Sequence, residues 1–426
     1  MAPHQPTIEL LAPAGNFEKL EIAVHYGADA VYLGGKDFSL RNFSGNFTLP
    51  ELDRAVRFAH SRNVRVYVAC NVYPRNDELS DFSDFLKRLG EIGPDALILS
   101  DPGVILTARE ILPDMAIHLS TQANTTNHRA ATFWKTLGVT RINAARELPL
   151  TDIRQIVKKS GMEVEAFVHG AMCIAYSGRC LLSSYLTGRD SNRGACAHPC
   201  RWRYHVVEET RPGKFMPIAE DSRGSYIFAS RDLCMIEHIP EMIDSGLCAL
   251  KIEGRMKGIN YLASTVKVYR QAIDACLADP EGYTVRPEWL EEIEGINNRG
   301  FCTGFYLNDP EAPVPLYTAH EPSMERTFLA KILAGENGGA IQLDVRNKLV
   351  KGEMIEIFSP CSPLRRAVVC EMYDAAGKAI IEANPGNTVT IRLSEAGGKP
   401  NDLIRRVPAN RPQGQPSNTQ SPTLIR

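Results

Sequence analysis

The chain has 426 residues, 44% of them hydrophobic, and a formal net charge of −2. That length suits a large domain plus a smaller one, each with its own core, and the charge excludes a globally basic polyanion binder, so any nucleic-acid site has to be a local patch. The start, Met1-Ala-Pro-His4, carries no basic and then apolar leader. No apolar run approaches the ~20 residues of a membrane span, so a cytoplasmic protein without membrane contact is expected.

From the N-terminus one pattern recurs: a helical stretch stops at a Gly and a short apolar strand follows. It is seen at Tyr26–Gly35, Ile92–Ser100, Leu137–Asn143 and Ser245–Ile252. Gly ends each helix because it tolerates a left-handed backbone, and the strand is apolar because a parallel strand is covered on both faces. Further strands are predicted at Glu9–Ala12, Val64–Ala69, Ile117–Leu119 and Val164–Val168, with helices such as Asp81–Leu89 and Leu148–Lys159 between them. Eight strands alternating with helices predict an α/β fold, a (β/α)8 TIM-like barrel over residues 1–307, with a doubly wound sheet as the alternative. The polar stretch Leu181–Ser230, with strand-like Trp202–Val207 and Tyr226–Phe228, breaks the rhythm and reads as an insertion after the seventh strand. Insertions that carry chemistry in barrels sit on that C-terminal face.

Residues 308–325 form a Pro-rich connector. Residues 326–407 then read as a small all-β barrel, with alternating strands at Thr327–Leu333, Ala340–Val345, Met354–Phe358, Ala367–Tyr373, Ala379–Ala383 and Thr388–Leu393. Within it, Lys351–Ile357 resembles the strand edge of translation-factor barrels and hints at RNA contact. The tail, 408–426, has almost no apolar content and is expected to be disordered.

Eleven cysteines in a chain without a leader argue against disulfides. Cys70, Cys248, Cys276, Cys302, Cys361 and Cys370 are scattered among apolar neighbours, as small buried hydrophobes are. The other five crowd between 173 and 234, in Cys173-Ile-Ala-Tyr-Ser-Gly-Arg-Cys180, Cys196-Ala-His-Pro-Cys200 and Asp232-Leu-Cys234. Four thiolates from one strand end and one long loop can converge on a point, and Gly170 and Gly178 allow the tight backbone this needs. Thiolates select zinc or an iron–sulfur cluster. Zinc sites usually pair cysteines two to four residues apart, a spacing approached only by Cys196 and Cys200, which favours the cluster. The plain alternative is a set of unligated thiols.

Five arginines, Arg179, Arg189, Arg193, Arg201 and Arg203, lie in the same region with Tyr185, Trp202 and Tyr204 among them. Arginine grips phosphate and aromatic rings stack on exposed bases. The competing role for these arginines is to neutralise an anionic cluster. Arg255 and Lys257, after the eighth strand, suit a small dicarboxylate through the bidentate fork of Arg. Glu165, His169 and Glu253 are predicted at strand ends facing the barrel mouth, as candidate proton-transfer groups. Structural pairing with Lys251 or Arg255 is their other reading. Ser44-Gly45 and Gly34-Gly35, in loops after early strands, are either ligand-approach points or ordinary turns.

The stretch Glu165–Ser183 resembles the signature of peptidase family U32, the collagenase-like peptidases. Glu9–Gly35, Asp232–Cys234, Lys251–Lys257 and Arg299–Phe305 are similar to that family too, and with the C-terminal β-domain the resemblance covers nearly all of the chain to about residue 406. Family members of this length act in tRNA hydroxylation and make 5-hydroxyuridine at the wobble position, while relatives act on ribosomal RNA or a quinone precursor. The resemblance implies a [4Fe–4S] cluster held by Cys173, Cys180, Cys196 and Cys234, with Cys200 able to exchange roles with Cys196. It also implies prephenate as a co-substrate and tRNA as the partner; the binding candidates Arg193, Arg201, Arg255 and Lys257 come from the residue pattern above. Peptide hydrolysis, which the family name suggests, finds little support in the residues. His320-Glu321 lacks a second His, with Met324 where it belongs; no Gly-x-Ser-x-Gly occurs; and Asp244-Ser-Gly246 sits at a helix end. Cys173 with His169 as its base is the one arrangement left for it. A non-enzymatic cluster scaffold is the third reading.

Overall fold

In a computed structural model, the residues described are 8–39, 45–172, 177, 178, 180, 182–189, 195–199, 220, 221, 224, 225, 231–296, 298, 300–307, 326–335, 340–395 and 397–408. The chain divides into two compact units, Met1–Met324 and Glu325–Arg426.

The first unit is built on eight parallel strands: Glu9–Pro13, Ala30–Gly34, Arg65–Ala69, Ala96–Leu99, Ala116–Leu119, Arg141–Asn143, Glu163–Ala171 and Ala249–Ile252. The eighth pairs with the first (Leu10↔Leu250) and with the seventh (Ala249↔Glu165), so the ring closes and the doubly wound alternative is ruled out. Local signals set the helices. Thr48 and Glu51 make a reciprocal capping box ahead of Leu49–His60, and Asp101 caps Pro102–Ile111. Gly93 and Gly161 end Leu79–Ile92 and Leu150–Ser160 in the left-handed conformation. Among the described residues no helix is long and apolar enough to cross a membrane.

Alternate strand residues face the barrel axis, and the interior they make is lopsided. The early strands line it with Leu11, Tyr32, Tyr67, Ala69 and Ile98. The later strands contribute His118, Arg141, Glu165 and Lys251, all buried. Glu9, on the first strand, is covered by Arg141 at 2.8 Å, by Arg65 and by the Tyr67 hydroxyl at 2.7 Å. Lys251 Nζ lies 2.6 Å from Glu165, and Arg141 stands 3.8 Å from the same carboxylate. Such pairs add little net stability against an apolar filling, but removing one partner leaves a charge stranded.

The seventh strand runs past its predicted end at Val168 to Ala171. A short segment missed in the sequence, Asp232–Cys234, lies antiparallel to its extension (Asp232↔Ala171, Cys234↔His169), and Phe301–Cys302 adds beside it in parallel. Of the insertion between strands seven and eight, a helix at Leu182–Thr187 is described; the predicted strands Trp202–Val207 and Tyr226–Phe228 lie outside the described residues.

The second unit is a closed antiparallel barrel, in the order Phe328–Gly335, Ala340–Val345, Thr388–Leu393, Arg365–Tyr373, Met354–Phe358 and Leu403–Arg406, returning to the first strand. Leu329, Leu343, Ile355, Val369, Ile391 and Ile404 fill it. Two expectations change here. Only Glu382–Ala383 of the predicted Ala379–Ala383 strand forms a ladder, with Leu349–Val350, because Ala379 and Ile380 instead pair back with Tyr373 and Met372 across the Asp374–Lys378 turn. The closing strand Leu403–Arg406 went unrecognised because its pattern is half basic; Arg405 is buried with its guanidinium 3.7 Å over the Phe358 ring. Lys351 and Gly352 form the turn before Met354–Phe358, with Gly352 at φ +84°.

Candidate functional site at the barrel mouth

At the C-terminal mouth a cavity of about 70 Å³ is floored by Tyr32, Ile98 and Phe167 and rimmed by Arg146, Lys251, Glu253 and Arg255. Three cations over an aromatic floor suit an anion with an apolar body. Each cation is held in place. Arg146 donates to the Ala171 carbonyl at 2.7 Å and lies 4.0 Å over Phe167. Lys251 stands 4.7 Å over Tyr32. Arg255 is buried, donates to Ser39 Oγ at 2.9 Å, and its carbonyl accepts from Lys19 at 2.8 Å. Arg146 and Lys251 were not singled out as ligand-binding residues in the sequence. The usable signal is position: both belong to strands or post-strand loops that face the mouth.

The predicted residues separate into three places. Glu165 is not at a strand end. Glu165 stands level with Asn143 and Ala249 of the two flanking strands, so it falls inside the barrel, paired with Lys251. Burial alone would raise its carboxyl, but the charge of Lys251, with that of Arg141 and the Lys251 hydrogen bond, holds it below the ordinary range. Glu253 follows the eighth strand; its N–H donates to the His169 carbonyl at 2.8 Å and its side chain reaches the cavity rim with Arg255. His169 is buried among the Tyr261, Tyr269 and Phe301 rings, with Nδ1 3.3 Å from the Tyr269 hydroxyl. Burial, helped by the charge of Lys257, lowers it to about 3, so it is neutral. Lys257 turns away from Arg255 toward buried Asp232, at 3.9 Å, and over the Tyr261 ring at 4.9 Å.

Beside the mouth stands the cysteine-rich segment. Its first loop is pinned onto the residues that follow strands five and six. The Ser177 N–H donates to Glu147 at 2.6 Å, and Thr121 Oγ1 to Ser177 Oγ at 3.4 Å. Gly178, at φ +72°, presses so closely on Gln122 that a Cβ would meet its carbonyl oxygen at 2.0 Å, so only Gly fits. Gly170, at φ +111°, passes the Glu253 carbonyl in the same way, at 2.4 Å. Farther along, the Ala197 N–H donates to Ser183 Oγ at 3.0 Å, and Arg189 Nε to the Ala195 carbonyl at 2.9 Å, tying the second cysteine stretch to the helix Leu182–Thr187.

Among the described residues three cysteine sulfurs are met by peptide donors, one of them Cys302, outside the predicted ligand set, which receives the Gly304 N–H. Cys196 Sγ accepts the His198 N–H at 3.4 Å, with His198 itself left-handed at φ +56°. Cys234 Sγ receives the Ile236 N–H and faces the Tyr269 hydroxyl at 3.7 Å. Donors of this kind suit a metal-bound thiolate. Without a metal, burial pushes the Cys234 thiol up to about 11 and it keeps its proton. Among the described residues no three His, Cys, Asp or Glu side chains stand together at ligand distance. Cys173 and Cys200, with Arg193 and Arg201, lie outside the described residues.

The chain matches the profile of peptidase family U32 over residues 15–314 and that of the family's C-terminal domain over 324–405. It is 42% identical over 353 residues to tRNA hydroxylation protein P1 of Bacillus subtilis, covering 83% of each chain. With tRNA hydroxylation protein P of Escherichia coli it shares 37% over 426 aligned residues, 90% of this chain and 93% of that one. A more distant relative, the 23S rRNA 5-hydroxycytidine C2501 synthase of Escherichia coli, is 34% identical over 272 residues, 64% of this chain and 40% of that one. With both units matched in order, this chain belongs to peptidase family U32.

Proposed function

We propose that the protein is an RNA hydroxylase that converts a tRNA uridine to 5-hydroxyuridine, with prephenate as co-substrate and a [4Fe–4S] cluster on Cys173, Cys180, Cys196 and Cys234. The observation that carries this reading is similarity to tRNA hydroxylation proteins over more than four fifths of the chain. The mouth agrees with it. Arg146, Lys251 and Arg255 present positive charge around Tyr32 and Phe167, a lining whose chemistry suits a carboxylate on an apolar body. Glu253, on the same rim, is placed to accept a proton or a base N–H. The arginines of the insertion, Arg193 and Arg201 among them, serve the RNA backbone. Replacing hydrogen by hydroxyl at a pyrimidine carbon is a two-electron oxidation, and a cluster beside the mouth supplies electron transfer when bound.

The test is a complementation experiment. A bacterial strain stripped of its own tRNA hydroxylation genes should regain 5-hydroxyuridine, read by mass spectrometry of tRNA nucleosides, when it expresses this chain. A Cys→Ala change at 173, 180, 196 or 234 should abolish the recovery and lower iron and acid-labile sulfide in anaerobically purified protein. Stoichiometric zinc without sulfide would overturn the cluster, and unchanged tRNA would overturn the activity.

Hydrolysis is the weaker reading. His169, the base that a thiol peptidase would need, is closed off among three aromatic rings. Highly purified protein should therefore leave gelatin intact. Turnover that survives purification and vanishes in His169→Ala would reverse this ranking.

A further inference from the structure

The Tyr269 hydroxyl sits at a junction that the reaction itself does not explain. Tyr269 lies on the long helix Ile259–Ala278 and is fully buried. Its oxygen accepts the Met235 N–H at 3.1 Å, donates to the Val168 carbonyl at 2.8 Å, and lies 3.3 Å from His169 Nδ1 and 3.7 Å from Cys234 Sγ. A phenol has one hydrogen to give and two lone pairs to offer. Two acceptors, the Val168 carbonyl and the Cys234 sulfur, compete for that hydrogen.

Resting on the cluster reading above, we infer that Tyr269 is a positioning residue for Cys234, donating its hydroxyl hydrogen to the ligand sulfur, with His169 setting the direction of that hydrogen. A thiol sulfur is a weak acceptor and loses the hydrogen to the carbonyl. A metal-bound thiolate carries negative charge and is the stronger acceptor. When the hydrogen turns to sulfur, the oxygen's two lone pairs take the Met235 N–H and a His169 Nδ1–H, while the Val168 carbonyl keeps a share of the same Met235 N–H at 3.0 Å. The 3.3 Å contact calls for a ring hydrogen on His169 Nδ1. The rings of Tyr261 and Phe301 hold the imidazole in that orientation. Ile236 supplies the other donor to the same sulfur. Hydrogen bonds to cluster sulfurs stabilise the reduced, more negative form and so raise the reduction potential.

The experiment compares Tyr269→Phe with Tyr306→Phe in anaerobically purified full-length protein. Tyr306 is another buried phenol, which donates to the Phe167 carbonyl at 2.8 Å and serves no sulfur. Iron, sulfide, the visible spectrum and the reduction potential are measured on each. The expected result is full iron and sulfide in both variants, with the potential shifted to more negative values in Tyr269→Phe alone. Loss of iron confined to Tyr269→Phe also supports the inference, since the positioned ligand has then let go. A loaded Tyr269→Phe with the parent potential overturns it and leaves the cluster standing. Equal iron loss in both variants overturns it as well, because the effect is then one of packing. A parent protein without iron and sulfide removes the cluster reading, and this inference with it.

Discussion

Acidification should destabilise the barrel unit well above the pH at which its carboxylates titrate. His118 and His169 are both buried and neutral, each lowered to about 3, His118 by burial against the opposing pull of Glu165 and His169 by burial with the help of Lys257. In the unfolded chain each takes a proton near the ordinary value of about 6.5. The unfolded state therefore binds more protons between roughly pH 6.5 and 3, and stability falls as pH falls through that window. At pH 4.5 the loss is on the order of 3 kcal/mol per histidine, and about 5 kcal/mol together. Chemical denaturation at pH 7.5, 6, 5 and 4.5 would show it. His118→Asn should flatten the slope by about half, and an unchanged slope in that variant would refute the assignment.

Lys251→Met should be among the most destabilising single changes in the chain. It leaves Glu165 buried, with Arg141 at 3.8 Å as the remaining cation, and removing one member of a buried pair costs about 3–5 kcal/mol. The pH dependence gives the signature. In the parent, the lowered Glu165 carboxyl contributes stability at neutral pH that is lost only below the ordinary carboxylate range. In the variant that contribution is gone, and the carboxyl rises as burial dictates. Lys251→Met combined with Glu165→Gln should recover a large part of the loss, read as denaturation midpoint. A double variant no better than the single one would locate the effect elsewhere. Since Lys251 also rims the cavity, the double variant is expected to fold without regaining RNA hydroxylation.

Much of the architecture was legible because two signals, Gly-stopped helices and short apolar strands, are local. The strands Ala340–Val345, Met354–Phe358 and Thr388–Leu393 match their predicted bounds. Non-local causes hid the rest. Nothing in Asp232-Leu-Cys234 marks it as a strand; it becomes one only because the end of strand seven offers a free edge. Glu165, expected at a strand end, is interior because it stands level with Asn143 and Ala249 on the neighbouring strands, a register that no local pattern shows. The closing strand Leu403–Arg406 is disguised by Arg405, whose burial depends on Phe358, 47 residues away in a different strand. At the mouth, Arg255 was visible as a cation after strand eight, but Arg146 and Lys251 acquire meaning only when strands six, seven and eight stand side by side.

The lopsided interior has a consequence for how the ring assembles. Glu9 and Arg141 are partners on the first and sixth strands, and Glu165 and Lys251 on the seventh and eighth. Until strands one and eight meet, these charges remain hydrated and there is little reason to dehydrate them singly. The apolar wall of strands one to four can collapse early from neighbouring segments, whereas the ionic wall forms only through contacts of long sequence separation, which are slow to find. Closure is then a late, all-or-none event in folding. A chain growing from its N-terminus would hold an open, half-built ring until residues 249–252 arrive to complete it.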